Sequence, residues 1–296
     1  MFMKELDDLL DFCHRNYQAS DASKFKKCGN KCINKQRCGG CAGDCYKCIQ
    51  WINDFHNNKD HYNCINMTYN YVLKYGYRFF AETCVLFNEV ADSWSISDDV
   101  YVASIGCGPS TELYGLLSAW RHKNKDEIKL HYRGFDLNPI WRTLIDYNNQ
   151  YMKIDANSSI TDAFAFYKNS EEPLKVLFLN YSLSDMYRFS NKTFDMFVQD
   201  LCKLIICRKV SMLLFNDVYT IQSINAFNKL LSILNKIGIV DSHCERCFHQ
   251  KNDSVGSFGN FVSTTKFPEM NKVIVYHYEP FRALASIQAV IKFKSL

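Results

Sequence analysis

The chain has 296 residues, 47 % of them hydrophobic, with only 12 Gly and 5 Pro, so it can bury a sizeable core and is neither disordered nor fibrous. Its formal net charge of +4 is too small to imply a polyanionic partner by itself. No run of 18 apolar residues is present and the start, Lys4-Glu5-Leu6-Asp7-Asp8, does not read as a secretory signal; a cytoplasmic protein with no membrane partner is expected.

Cysteine is spread unevenly. Among the 14 cysteines, six follow the pattern Cys28-x3-Cys32-x5-Cys38-x2-Cys41-x3-Cys45-x2-Cys48. In a reducing compartment such a cluster means metal more often than disulfides, and tetrahedral zinc takes four thiolate or imidazole ligands from short-spaced pairs. Residues 20–48 hold few large apolar side chains and cannot build a core alone. A small Cys-rich zinc-binding module over residues 1–65 is therefore expected, with Cys28, Cys32, Cys38, Cys41, Cys45 and Cys48 as ligands. Lys24, Lys26, Lys27, Lys31, Lys35, Arg37 and Lys47 surround them. These cations neutralise the excess thiolate charge of such a site, or else contact phosphate.

From residue 66 the pattern changes. Residues 67–90 read as a long helix, on which Tyr71, Tyr75 and Phe79 recur every four residues beside Val72 and Phe80; packing is the favoured role for this stripe over base stacking. An alternation follows: strand 100–105, helix 111–120, strand 130–135, helix 139–148, strand 174–179, helix 194–207, strand 210–215 and an amphipathic helix 221–237. Residues 272–277 and 287–294 read as closing strands. Strands alternating with helices imply an α/β domain over 66–296, a Rossmann-like and mostly parallel sheet with helices on both faces.

The most informative stretch is Tyr101-Val102-Ala103-Ser104-Ile105-Gly106-Cys107-Gly108-Pro109-Ser110-Thr111. A strand runs into Gly-x-Gly and a helix follows at once. Glycines allow the sharp turn and the close approach of a ligand, and the helix start offers free N–H groups. Asp136 ends the next strand, in Gly134-Phe135-Asp136-Leu137-Asn138-Pro139, where an acid can take both hydroxyls of a ribose. The third glycine of a dinucleotide fingerprint is missing, because position 111 is Thr.

This combination resembles motifs I and II of class I S-adenosylmethionine-dependent methyltransferases. The resemblance implies S-adenosylmethionine as cofactor, bound by Ile105, Gly106, Cys107, Gly108, Pro109 and Ser110 on its methionine side and by Asp136 and Leu137 at the ribose. It places Asp155 near the adenine amino group, with a turn or cap role as an equal alternative. It also puts Asn180, Tyr181 and Asp185, after the strand at 174–179, near the methyl group and acceptor. Asn180-Tyr181 is similar to an Asn-Pro-Pro-Tyr motif but lacks both prolines, so amino methylation is not inferred from it. Asn216 and Asp217 are weaker rim candidates. No obligatory catalytic base is expected, since transfer from a sulfonium depends on alignment and exclusion of water.

The expected function is methyl transfer to a macromolecule, RNA or protein, with the zinc module bracing the domain or recognising the substrate. A non-catalytic binding scaffold is one alternative. Another is a radical enzyme, because Cys41-x3-Cys45-x2-Cys48 resembles the iron–sulfur triplet of radical S-adenosylmethionine enzymes; that family would follow it with a β/α barrel. His243-Cys244-Glu245-Arg246-Cys247-Phe248-His249 reads as an irregular strand or rim loop before a second metal site, because strand neighbours alternate faces. Cys84, Cys107, Cys202 and Cys207 read as core residues.

Overall fold

The computed structural model describes residues 4–17, 65–91, 99–122, 129–152, 155–248, 260–262, 270–280 and 285–295. Cys28, Cys32, Cys38, Cys41, Cys45 and Cys48, the expected zinc ligands, lie outside the described residues. Among the described residues no group of His, Cys, Asp or Glu is placed to hold a metal ion, and no helix is long and apolar enough to cross a membrane.

Among the described residues eight strands form one sheet in the order β3-β2-β1-β4-β5-β8-β6-β7. They are β1 (Val100–Ile105), β2 (Leu130–Asp136), β3 (Asp155–Ile160), β4 (Val176–Asn180), β5 (Met212–Val218), β6 (Val240–Phe248), β7 (Asn260–Val262) and β8 (Ser286–Phe293). Among the described residues the helices are α1 (Lys4–Asn16), α2 (Ile65–Ala91), α3 (Glu112–His122), α4 (Arg142–Tyr151), α5 (Ala163–Asn169), α6 (Leu183–Phe189), α7 (Asn191–Arg208), α8 (Ile221–Lys236) and α9 (Lys272–Tyr278). The first five strands run parallel, while β8 lies antiparallel between β5 and β6. Strand order reverses between β1 and β4, so the carboxyl ends of these two open a crevice. This open sheet is not the β/α barrel that the radical-enzyme alternative requires.

The strands read as unbroken apolar runs because both faces are covered. Val102, Phe178 and Leu214 enter the core under α1, α2 and α3; their neighbours Ala103, Leu177 and Leu213 enter the core under α7 and α8. Successive side chains of a strand point to opposite faces, which produces the division. At the crossing of α2 and α3, Gly115 lets the helices touch: a Cβ there would lie 1.9 Å from Thr83 Oγ1 and 2.7 Å from the Phe80 carbonyl.

Several findings differ from the expected elements, among them α5, α6 and β7, for which no element was expected. Residues 4–16 were expected inside the Cys-rich module, yet α1 buries Leu6, Leu9, Leu10 and Cys13 completely in the α/β core. That spacing of three and four is one helical stripe. Residues 272–277 form helix α9 instead of a strand: Asn271 accepts hydrogen bonds from the N–H groups of Val273 and Ile274 and starts a helical turn. Strand β3 adds an edge to the sheet where no apolar run marked one. Cys84, Cys107 and Cys202 are buried as expected, but Cys207 is exposed near the end of α7. Residues 240–248 are a strand with a register shift at its start, and His243 and Cys244 face solvent.

Candidate active site

The turn after β1 is built by its backbone. Gly106 and Gly108 have φ of 73° and 52°, the left-handed region. A Cβ at Gly106 would lie 2.8 Å from the Ser182 Cβ, closer than packing permits, so the turn requires glycine on two counts. The N–H groups of Gly106 and Cys107 donate to the Phe135 carbonyl at 2.8 and 3.0 Å, which ties the turn to the end of β2. Ser110, also left-handed, meets the Ser158 hydroxyl at 2.8 Å, and the Pro109 carbonyl accepts from Asn148.

Asp136 is fixed by the same turn. Its two oxygens accept from the Gly108 N–H at 2.8 Å and the Asn138 N–H at 2.7 Å. Burial raises its pKa above the usual carboxylate value, and those two N–H groups oppose the rise. Each oxygen keeps a further lone pair, so the carboxylate can still accept from a diol. Leu137 stands 70 % exposed beside it. Cys107 is a buried spacer, its thiol pKa pushed up by burial.

A pocket opens at the switch point. Its floor is the 106–109 turn, Asp136 and Thr111; its walls are Tyr71 and Phe79 of α2, Trp141, and the segment Asn180, Tyr181, Ser182, Asp185 and Met186. The aromatic walls touch in series: Trp141 to Tyr71 at 5.5 Å, Tyr71 to Phe79 at 5.8 Å and Phe79 to Tyr181 at 4.4 Å between ring centroids. The α2 stripe thus does more than pack, since two of its rings line the cavity.

The far wall rests on buried polar groups. Arg78 and Glu82, one helical turn apart on α2, pair at 2.6 Å with almost no exposure. Burial alone would lower the Arg78 pKa, but Glu82 and Tyr181 more than offset it and the guanidinium is held charged. The Tyr181 hydroxyl accepts from Arg78 at 3.0 Å and donates to Glu82 at 2.9 Å. Tyr181 has φ 54°, a strained value for a non-glycine residue that these bonds hold in place. Asn216 joins Glu82 to the Asn180 side chain. Asp217 accepts from the Ser184 N–H and hydroxyl. Asp185 lies 3.6 Å from Arg188, and burial followed by the repulsion of Asp217 pushes its carboxyl up to about 7. Burial likewise moves Asp217 to about 6.

Of the residues expected from sequence, Gly106, Cys107, Gly108, Pro109, Asp136, Asn180, Tyr181 and Asp185 line one pocket. Ile105 and Ser110 support the turn. Asp155 does not join them. It opens β3 at the edge opposite the site, in register with His131, where it bonds to His131 and Arg133. Arg133 and then His131 hold its carboxyl below the usual value. The end of β3 that borders Asp136 is Ile160. Sequence reading also passed over Ser182 and Trp141, which become neighbours of the glycine turn only through the fold. The Arg78/Glu82 pair did carry a signal: two opposite charges one turn apart, enclosing the apolar Phe79-Phe80-Ala81.

S-Adenosylmethionine, the cofactor implied by the motif resemblance, suits these residues. Ser182 is 7 % exposed, lines the pocket and has an oxygen without a hydrogen-bond partner, a site that asks for one from a ligand. The side-chain-free Gly106 stands beside it, and Asp136 presents spare lone pairs to a ribose.

No family model and no curated protein matches the sequence. Solved structures that the chain matches include the plantazolicin methyltransferase BamL in complex with a triazolic desmethylPZN analog and SAH (11 % identity, 85 % of this chain and 100 % of that chain, TM-score 0.47). A Listeria monocytogenes protein assigned to the class I S-adenosylmethionine-dependent methyltransferases shares 13 % identity over 98 % of this chain and 88 % of its own, with a TM-score of 0.46. A Pyrococcus horikoshii protein assigned as an RNA methyltransferase shares 11 % identity over 72 % and 83 %, with a TM-score of 0.41.

Proposed function

We propose that this chain is an S-adenosylmethionine-dependent methyltransferase with a macromolecular acceptor, RNA or protein. The observation that carries the reading is the pocket at the β1/β4 switch point, where a left-handed Gly-x-Gly turn, a backbone-anchored acid and an unpartnered serine hydroxyl converge. Asp136 accepts the ribose hydroxyls, with Leu137 beside it. The turn Gly106-Cys107-Gly108-Pro109, carried by Ile105 and Ser110, and the Ser182 hydroxyl hold the methionine portion. Asn180, Tyr181 and Asp185 border the acceptor. The bound cofactor supplies an electrophilic methyl group on a sulfonium, and the protein contributes alignment and shelter from water. The aromatic walls provide that shelter, and the Arg78/Glu82 pair keeps Tyr181 in position.

The Cys-rich segment completes the proposal as structural zinc held by ligands drawn from Cys28, Cys32, Cys38, Cys41, Cys45 and Cys48, as one four-ligand site with spare cysteines or as two sites, in a cytoplasmic setting that keeps thiols reduced. Elemental analysis of the purified protein is expected to find zinc near stoichiometry; iron would support the iron–sulfur alternative for this segment. For the active site, calorimetric titration with S-adenosylmethionine and its demethylated product is expected to show micromolar binding of both. Absence of binding by the folded protein would replace the enzyme reading with that of a scaffold.

A further inference from the structure

The charge of the pocket narrows the acceptor. Among the described residues that line it there are two acids, Asp136 and Asp185, and no Lys, Arg or His. The nearest buried cation, Arg78, stands behind the Tyr181 ring and is neutralised by Glu82. A phosphate brought against Asp185 would face that acid and compete with it for Arg188, which lies outside the pocket lining. A cationic group would meet a carboxylate and a run of aromatic faces, both of which attract it.

Asp136 is committed to the cofactor side through Gly108 and Asn138. Asp185 sits in the first turn of α6, past the end of β4, with its side chain 34 % exposed. Charged neighbours of Asp185 among the described residues include Asp217 from β5 and Arg188 on its own helix, and the latter is also held by Gln222 from α8. Behind the pocket, α2 contributes the neutralised Arg78/Glu82 pair. Ser182, with its unpartnered hydroxyl, marks the boundary between the cofactor side and this acidic side.

Resting on the methyltransferase reading, we propose that the acceptor is an amine or guanidine nitrogen of a peptide side chain, seated in the pocket against the touching rings of Phe79 and Tyr181, and that Asp185 binds its N–H and takes its proton. The attacking nitrogen is the neutral amine or guanidine left once the cation that the pocket attracts has given one proton to Asp185, and its lone pair forms the new N–C bond to the methyl group. The S–C bond breaks, its electron pair stays on sulfur as a neutral thioether, and the proton held by the Asp185 carboxylate passes to solvent. The raised pKa of Asp185 suits a base working near neutrality.

The test uses the full chain, labelled S-adenosylmethionine, a pool of Lys- and Arg-containing peptides, and a pool of transcribed RNA. Label is expected in the peptides, with kcat rising as pH increases through about 7, because the carboxyl must be ionised to accept a proton. Asp185→Asn is expected to lower kcat by roughly 10²-fold or more, to flatten that pH profile and to leave affinity for the demethylated cofactor unchanged. Label in RNA alone, or in neither pool while the demethylated cofactor still binds, overturns the acceptor assignment. Loss of cofactor affinity in Asp185→Asn overturns the role of Asp185 and hands it to the ammonium of the cofactor. Failure of the wild-type protein to bind the cofactor at all overturns the methyltransferase reading itself, a distinct outcome.

Discussion

At the scale of single residues, Gly106 and Asp136 fail in different ways when replaced. Gly106→Val adds a β-branched side chain at φ 73° and drives its Cβ into Ser182. It deforms the turn and occupies the space meant for a ligand, so affinity for the demethylated cofactor is expected to fall at least about 100-fold. Asp136→Ala removes the ribose acceptor and also frees the Gly108 and Asn138 N–H groups. Asp136→Asn keeps one acceptor oxygen and should recover part of the loss. Calorimetry on the three variants measures the ranking; equal and unchanged affinity would place the cofactor elsewhere. Both positions were legible in the sequence because each stands at the end of an apolar strand with a turn residue beside it. Ser182 was not: its importance comes from meeting Gly106, 76 positions earlier, across the β1/β4 crevice. Asp155 was misplaced for a related reason. It starts β3, and its neighbours in β2 show that it lies at the amino edge of the sheet, away from the carboxyl ends where the pocket opens.

At the scale of elements, legibility followed the apolar pattern. β1, β4, β5 and α8 bury long apolar sets and were read close to their true bounds. β3 is Asp-Ala-Asn-Ser-Ser-Ile, a polar edge strand held by pairing with β2 and by Asn149, which bonds both backbone groups of Ser158. Nothing in its side-chain pattern marks a strand. The Val-Ile-Val run of α9 fits a strand equally well over so few residues, and the Asn271 cap decides for helix. The role of α1 was hidden by the cysteines after it. Leu9→Ala is therefore expected to destabilise the whole α/β domain by about 2–5 kcal/mol, as for any buried leucine. Urea unfolding followed by tryptophan fluorescence would show it, since the core that α1 enters contains Trp120 and Trp141; an unchanged midpoint would mean that α1 is not docked. Gly115→Ala tests the α2/α3 crossing in the opposite sense. The added methyl meets backbone at 2.7 and 2.9 Å, so overpacking should cost at least about 1–3 kcal/mol and shift α2, which carries Tyr71 and Phe79 to the pocket. Its melting temperature and its cofactor affinity are expected to fall together.

At the scale of the whole molecule, the α/β domain keeps Glu112 and Asp217 away from water and leaves Asp185 partly covered, and this sets how its stability depends on pH. Burial raises Glu112 and Asp185 to about 7 and Asp217 to about 6. The folded form therefore binds these protons more tightly than the unfolded chain. Their contribution to stability is fully present below the ordinary carboxyl range near pH 4 and is lost as pH rises through 6 to 7. Asp155, with its lowered pKa, acts in the other direction, but it is about half exposed and its ion pairs are screened. Glu112 isolates the effect. It lies 1 % exposed between β1, β2 and α3, one oxygen accepts from the Ser104 and Tyr132 hydroxyls at 2.6 and 2.8 Å, and the other has no partner. Glu112→Gln retains the accepting oxygen and removes the ionisation. The rise from 4.5 to about 7 corresponds to at most roughly 3 kcal/mol. Glu112→Gln is thus expected to exceed the wild type in stability by about 1–3 kcal/mol at pH 8, and the two proteins should converge near pH 4.5. Urea unfolding at both pH values measures the difference. A constant offset between the two proteins across that range would show that Glu112 stays in one protonation state and that the pH dependence arises at Asp185 and Asp217, beside the pocket.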